Sequence, residues 1–362
     1  MIMANKRVLI AMSGGVDSSV AAILLKEQGY EVVGVTFKNL RVDTSSEKDF
    51  DKLDAGSKAK IVADKLGIEH HIMEIYDEFD NCVIQNFISE YMDGRTPNPC
   101  VLCNKTVKWG ILADKADELD CTYMATGHYA KIVNEDGRYF LRKCSDKLKD
   151  QSYFLWRLAQ DKLARTIFPL NELTKPEVRE IALMHGYDKV RKSKESQEIC
   201  FIPDNDYRKF LSEHIEDYSS KCKEGWFVDK EGNRLGRHKG YPNYTIGQRK
   251  KLGIALGEPA YVIELRPKTN EVVIGKREDL EGKSFYVKDI NLMKISTIIE
   301  GQKVTARIRY RNNGALASLY PEGDKIRVVF HEYMDSITPG QSAVFYDGDD
   351  VLGGGIIDSV ID

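Results

Sequence analysis

The sequence predicts an α/β protein in three parts: an N-terminal parallel-sheet domain, a small β-rich central domain and a C-terminal β-barrel. Three observations predict it. Between Lys6 and Asp204, apolar strand-like runs alternate with helical patterns, as in a parallel sheet wound with helices. A glycine turn, Ser13-Gly14-Gly15, joins the first strand to the first helix. Beyond residue 204, helical patterns give way to short alternating runs separated by Gly, Pro and Asp, which read as antiparallel strands. The expected domains are residues 1–204, 205–277 and 278–362.

Taken in order, Val8–Met12 is an apolar run of strand length, and Ser19–Gln28 carries apolar residues at helical spacing. Glu31–Phe37, His70–Ile75 and Thr122–Thr126 read as further strands, with Ala55–Leu66, Asp77–Met92 and Lys105–Leu119 as helices. Tyr207–His214 is a short helical stretch, followed by strand-like Gly225–Val228 and Tyr261–Leu265. Val304–Tyr310, Lys325–Phe330 and Ser342–Tyr346 then alternate as strands of a small barrel.

Composition narrows the class. A chain of 362 residues, 42% hydrophobic and 30% charged, has the make-up of an ordinary globular protein with room for two or three cores. No apolar stretch approaches a membrane span, and Met1–Arg7 lacks signal-peptide character, so a cytoplasmic location without a membrane partner is expected. Seven cysteines, an odd number without an export signal, read as reduced thiols. The net charge of −3 does not itself suggest a polyanion. Local clusters do: Arg142, Lys143, Lys147 and Lys149; Lys189, Arg191, Lys192 and Lys194; and the stretch Arg234–Lys251. Solvated surface charge is the alternative reading for most individual lysines.

The turn after the first strand is the strongest chemical signal. Glycines let successive N–H groups point at one place, and the helix that follows adds unpaired donors and a positive dipole end. Ser13, Gly14, Gly15, Val16, Asp17 and Ser18 thus form an anion cradle suited to phosphate. The Gly-Lys-Ser/Thr ending of a Walker loop is absent, so ordinary NTPase chemistry is not indicated. The alternative is a turn that merely connects strand to helix.

Two further segments carry thiols. In Thr96-Pro97-Asn98-Pro99-Cys100-Val101-Leu102-Cys103, the prolines disfavour helix before Cys100, which puts Cys103 at or near a helix start. Helix N-termini and cations such as Lys105 and Lys108 enrich the reactive thiolate. A zinc half-site needs two more ligands, and neither Cys121 nor Cys144 belongs to a second metal-binding pair. Ser193–Ile202 is polar up to Glu198 and then apolar around Cys200, as in a loop carrying a thiol; a buried cysteine is the alternative.

These segments, in order along the chain, resemble the bacterial tRNA-specific 2-thiouridylase family. The motifs are SGGVDSS at Ser13–Ser19, TPNPxxxCN at Thr96–Asn104, ATGHYA at Ala125–Ala130, KDQSYFL at Lys149–Leu155, SQEICFI at Ser196–Ile202 and YTIGQRKKLGI at Tyr244–Ile254. The first is shared with the wider ATP pyrophosphatase superfamily. The resemblance implies an adenine-nucleotide hydrolase-like first domain that uses ATP to adenylate the C2 oxygen of the wobble uridine, after which sulfur replaces that oxygen. It implies a nucleotide site at Ala11, Met12, Ser13, Gly14, Gly15, Val16, Asp17, Ser18, Phe37 and Gly127, with Asp17 also placed toward Mg2+. Cys200 would receive a persulfide from a cysteine desulfurase or sulfur-relay protein, and Cys103 would form a disulfide with it or release hydrosulfide. No permanent prosthetic group is implied.

The tRNA anticodon stem-loop would meet Asn98, Pro99, Cys100, His128, Lys149, Asp150, Gln151, Arg309, Tyr310 and Gln341. Many family members carry aspartate where this chain has Cys100, a substitution that removes a candidate acid/base and adds a thiol able to pair with Cys103. Two other readings remain on sequence grounds. Another ATP pyrophosphatase acting on a small molecule would share the loop but need neither Cys103, Cys200 nor the β-rich tail. A non-catalytic RNA-binding protein would account for the tail but not the loop or thiols.

Overall fold

The computed structural model describes residues 6–40, 53–187, 199–202, 204–254 and 257–361; the basic cluster Lys189–Lys194 and Ser196–Glu198 lie outside them. One unit comprises Met1–Val83, Cys100–Gln197 and Asp349–Leu352, the other Ile84–Pro99, Glu198–Gly348 and Gly353–Asp362.

In the first unit, β1 (Arg7–Ala11), β2 (Glu31–Lys38), β3 (Glu69–Glu74) and β4 (Tyr123–Thr126) are followed by a hairpin of β5 (Lys131–Glu135) and β6 (Arg138–Arg142), then by the short β7 (Thr166–Ile167). The sheet runs β3-β2-β1-β4-β7, with every pairing parallel. The chain steps outward from β1 to β3 and then crosses to the far side of β1, so strand order reverses between β1 and β4. At such a switch point the strand carboxyl ends open a crevice.

Local sequence explains these elements. Val8 and Ile10 of β1 enter one core layer with Val20, Ala21 and Ile23, while Leu9, equally buried, alternates to the other face. Helix α1 (Val16–Glu27) packs beside the helix Lys175–Met184 on that first face. Helix α2 (Ala55–Leu66) starts where the Asp54 side chain accepts from Ser57 N at 2.6 Å and stops at left-handed Gly67. A continuous helical stretch begins at Pro99, widens into π geometry over Asn104–Ile111 and ends as Leu112–Glu118, packed against β1 and β4.

The second unit carries the β-rich regions. A four-stranded sheet has the order β10-β11-β8-β9, from β8 (Gly225–Val228), β9 (Arg234–His238), β10 (Tyr261–Arg266) and β11 (Glu271–Gly275). Phe227, Tyr244, Val262, Val272 and Ile274 form its core. Then β12 (Glu281–Leu292), β13 (Gln302–Arg307), β14 (Ala315–Glu322), β15 (Lys325–Asp335), β16 (Ser342–Asp347) and β17 (Asp350–Val360) pair as β12-β15-β14-β13-β16-β17. The β12–β17 pairing closes them into a six-stranded barrel. Phe87 of the helix Gln85–Met92 meets Phe201 and Phe210 edge-on at 5.3 and 5.8 Å, while Tyr91 stacks on Tyr207 at 4.6 Å.

Candidate active site

The glycine loop leaves the carboxyl end of β1 at the switch point. Met12 N donates to Val35 O at 2.8 Å, and Thr36 Oγ1 donates to Met12 O at 2.7 Å. That donation uses the single Thr36 hydroxyl proton, so His70 Nε2, 2.9 Å away, must donate to the same oxygen. Ser13 N donates to Ser18 Oγ at 3.1 Å, and Ser19 Oγ donates to Gly15 O at 2.8 Å. The loop is thereby folded over the start of α1, whose N-cap Gly15 carries no side-chain cap and leaves the first-turn donors for a guest.

Two glycines are required by their surroundings. Gly14 has φ +71°, and a Cβ there would lie 2.3 Å from Lys58 Cβ on α2. Gly127, just past the end of β4, would place a Cβ 2.7 Å from Ser18 N. The β4 end thus approaches the α1 N-terminus more closely than any side chain permits. Ala11 and Phe37, at the carboxyl ends of β1 and β2, are partly exposed on the same edge of the sheet.

The sequence reading missed Lys175. Its ammonium is largely buried and lies 2.7 and 2.8 Å from the carboxylate oxygens of Asp17, which also accepts from Tyr129 Oη at 2.8 Å. Thr174 and Glu177 form a capping box that begins this helix with Lys175 in its first position. The Leu-Thr-Lys-Pro-Glu signature marks the helix start in sequence, but not the partner of its lysine. Among the described residues, no group of three or more metal-ligating side chains occurs. With Lys175 on both Asp17 oxygens, this donor set is not a resident Mg2+ site.

His128 follows Gly127, its Nδ1 2.8 Å from Thr126 Oγ1 and its Nε2 3.5 Å from Lys108 Nζ. Burial, and then the Lys108 charge, push its pKa well below the ordinary histidine value, so the ring is neutral near pH 7. Gln151 Oε1 accepts from Tyr129 N at 2.9 Å, pinning this loop. Asp150 is buried and accepts from Ser152 Oγ at 2.7 Å and Cys144 N at 3.3 Å, while Lys149 is partly exposed.

The thiols divide by environment. Burial raises the pKa of Cys121 and Cys222, and raises that of Cys144 to about 12. Cys100 is exposed and Cys103 partly exposed, on one helical segment of the first unit. Cys103 is the fifth residue from the helix start at Pro99, deeper than expected. In the second unit Cys200 is exposed, next to buried Phe201 and Ile202. No disulfide joins the described residues.

In the second unit, Asn98 is partly exposed between buried Pro97 and Pro99. Arg309 and Tyr310 lie on the turn after β13 rather than in the expected strand, because the Arg307 guanidinium folds the chain back onto Tyr310 O and Asn312 O. Arg309 Nη2 donates to Ser336 O and Thr338 Oγ1, at 3.0 and 2.8 Å. Gln341 Nε2 donates to Thr96 O and Pro97 O, at 2.9 and 3.0 Å. A cavity of about 400 Å³ is lined by Thr96, Arg208, Gln248, Lys250, Arg309 and Gln341 among others.

A parallel sheet with a lysine-free glycine loop at its switch point makes this an open α/β protein of the kind that binds ligands at strand carboxyl ends. Family models match in sequence: a tRNA methyl transferase HUP domain over residues 6–204, a tRNA methyl transferase PRC-barrel domain over 208–276 and an aminomethyltransferase beta-barrel domain over 282–357. Full-length likeness is closer to another activity. The chain is 48% identical over 361 residues to a tRNA-specific 2-thiouridylase of Amoebophilus asiaticus, covering 98% of this chain and 96% of the relative. It is 47% identical to that of Cytophaga hutchinsonii, covering 98% and 97%, and 49% identical to one of Clostridium tetani, covering 98% and 99%. The chain belongs to the tRNA-specific 2-thiouridylase family.

Proposed function

We propose that this chain is an ATP-dependent sulfurtransferase that converts the wobble uridine of tRNA to 2-thiouridine, releasing AMP and pyrophosphate. The observation that carries the reading is the close approach of Gly127 to the α1 N-terminus, where a Cβ would stand 2.7 Å from Ser18 N beside a helix start whose N-cap glycine has no side-chain cap. Such a cradle suits the triphosphate of ATP. Mg2+ would arrive on those phosphates as part of the substrate.

Uracil C2 is a poor electrophile with a poor leaving oxygen, so activation comes first. The C2 oxygen attacks the α-phosphorus of ATP and pyrophosphate leaves. The terminal sulfur of a Cys200 persulfide, loaded by a cysteine desulfurase or relay protein, then attacks C2 and AMP departs with the oxygen. Cys103 thiolate attacks the Cys200 sulfur, breaking the S–S bond to leave sulfur on the base and a Cys103–Cys200 disulfide, which an external dithiol reduces. The same attack made earlier would free hydrosulfide as the nucleophile. The exposure of Cys200 and the partial exposure of Cys103, against the burial of Cys121, Cys144 and Cys222, support this choice of thiols. Lys149, Arg309 and Tyr310 would meet the anticodon arm, and Asn98 to Cys100 the unstacked base.

The test is nucleoside analysis of unmodified tRNA incubated with the protein, ATP and a persulfide donor. 2-Thiouridine should form, with stoichiometric AMP, and be lost in Cys103→Ser and in Cys200→Ser. Thiolation that survives both substitutions, or methylated nucleoside formed from S-adenosylmethionine instead, would overturn the reading.

A further inference from the structure

We propose that Arg95 and Gln341 are positioning residues that clamp the base-facing segment to the C-terminal barrel. The inference rests on the reading above that Asn98–Cys100 meets the target base. Asn98 sits between two prolines, which lack N–H groups, so this stretch has little capacity to organise its own backbone. The barrel organises it instead. Thr96 N donates to Pro339 O at 2.9 Å, and Gln341 Nε2 returns two hydrogen bonds, to Thr96 O and Pro97 O. Two carbonyl oxygens can be met only by the NH2 end of the amide, so both Gln341 amide hydrogens are committed to this backbone.

Arg95 forms the second half of the clamp. Its guanidinium donates to Ile357 O at 3.0 Å and Asp358 O at 3.1 Å, on β17, and to Glu90 Oε2 at 2.9 Å. The Arg95 side chain is only 16% exposed. Gly340, at φ +92°, lets the two backbones meet, since a Cβ there would stand 2.7 Å from Thr96 O. Arg95, reaching out to β17, and Gln341, reaching in from the barrel, thus tie the residues just before Asn98 to one barrel. Gln341, which the family resemblance places against tRNA, acts here through the protein backbone.

A positioning role and a direct tRNA contact give different results. Equilibrium tRNA binding and single-turnover thiolation at saturating tRNA and ATP are measured for wild type, Gln341→Ala, Gln341→Glu, Arg95→Ala and Arg95→Lys, with backbone amide exchange at Thr96 as a third readout. Gln341→Glu keeps the shape but turns oxygens toward both carbonyls. The clamp requires tRNA affinity to be unchanged, turnover of bound tRNA to fall about 10- to 100-fold, and the Thr96 amide to exchange faster. Arg95→Lys, which keeps a charged donor group for the β17 carbonyls but not the planar fork, should recover part of the Arg95→Ala loss. Weaker tRNA binding with wild-type turnover of the bound tRNA, or unchanged Thr96 exchange, would overturn the proposal. If Arg95→Ala fails to fold, Gln341→Glu decides the question. If wild type makes no 2-thiouridine, the sulfurtransferase reading fails, while Thr96 exchange still reports whether the clamp exists.

Discussion

Lys175 Nζ touches both carboxylate oxygens of Asp17, at 2.7 and 2.8 Å, although the two residues stand 158 positions apart. The glycine loop therefore holds its carboxylate against a cation from another helix. Left alone, that carboxylate would repel any anion brought to the loop, and the ammonium offsets its charge.

Lys175→Met should be destabilising. Removing one partner of a buried ion pair costs about 3–5 kcal/mol, and because Asp17 is 34% exposed the expected loss is nearer 1–3 kcal/mol. Adding Asp17→Asn should restore part of it. Urea unfolding of wild type, both single variants and the double variant measures the coupling, and strict additivity would show that the pair contributes nothing.

Gly127→Ala should weaken ATP binding. The added methyl meets Ser18 N and the Asp17 carbonyl carbon, at 2.7 and 2.8 Å, and these backbone atoms have little room to yield. Overpacking of this kind costs about 1–3 kcal/mol, and a comparable loss in binding is about 5- to 150-fold in affinity. Gly110→Ala is the control, since the nearest atom there lies at 3.9 Å. Calorimetric titration with ATP should separate the two; equal affinities would remove Gly127 from the site.

The thiols should sort by alkylation rate. At neutral pH Cys144, with its pKa pushed up to about 12 by burial and then by Asp150 and Asp146, should react far more slowly than the exposed Cys200. Mass-spectrometric mapping after timed iodoacetamide treatment reads this directly, and early labelling of Cys144 would contradict its burial. The same mapping on oxidised protein distinguishes a Cys100–Cys103 disulfide from a Cys103–Cys200 one.

Acid should unfasten the barrel through Asp358. Partial burial alone would raise its pKa, but hydrogen bonds from Lys288 and Lys325, at 2.8 and 2.9 Å, hold it down at about 2. A carboxyl depressed in the folded state contributes fully above its unfolded pKa of about 3.9 and loses that contribution as pH falls through about 2. Asp358→Asn should therefore flatten the fall in stability over that acid window. Urea midpoints taken across it would refute the assignment if the two profiles keep the same slope.

Much of this was legible from residues alone because the signals were local. The first strand, its glycine turn and the following helix stand side by side in sequence, and the apolar runs announce the parallel sheet. Other features left weaker marks. The hairpin of β5 and β6 was not separated out, although Asp136 and Gly137, at φ 50° and 81°, form the left-handed pair that a two-residue turn favours. Strand β7 has only two residues, too few to show a period. Asp150 entered only through the family resemblance, and its burial, with Ser152 and Cys144 donating to its carboxylate, left no mark in sequence. Lys175 and Arg95 were invisible for a different reason: what makes each matter is a partner far along the chain.

That separation has a consequence during synthesis. The carbonyls that receive Arg95 belong to Ile357 and Asp358, 262 and 263 residues further on, so Arg95 finds these partners only after that whole stretch of chain has been made. Earlier parts of a growing chain can collapse on their own, but contacts of such long range form late. A nascent chain, or one cut short before Ile357, carries the glycine loop complete while Arg95 still lacks its β17 partners. Nucleotide binding and productive handling of RNA should thus emerge at different moments in the life of a single molecule.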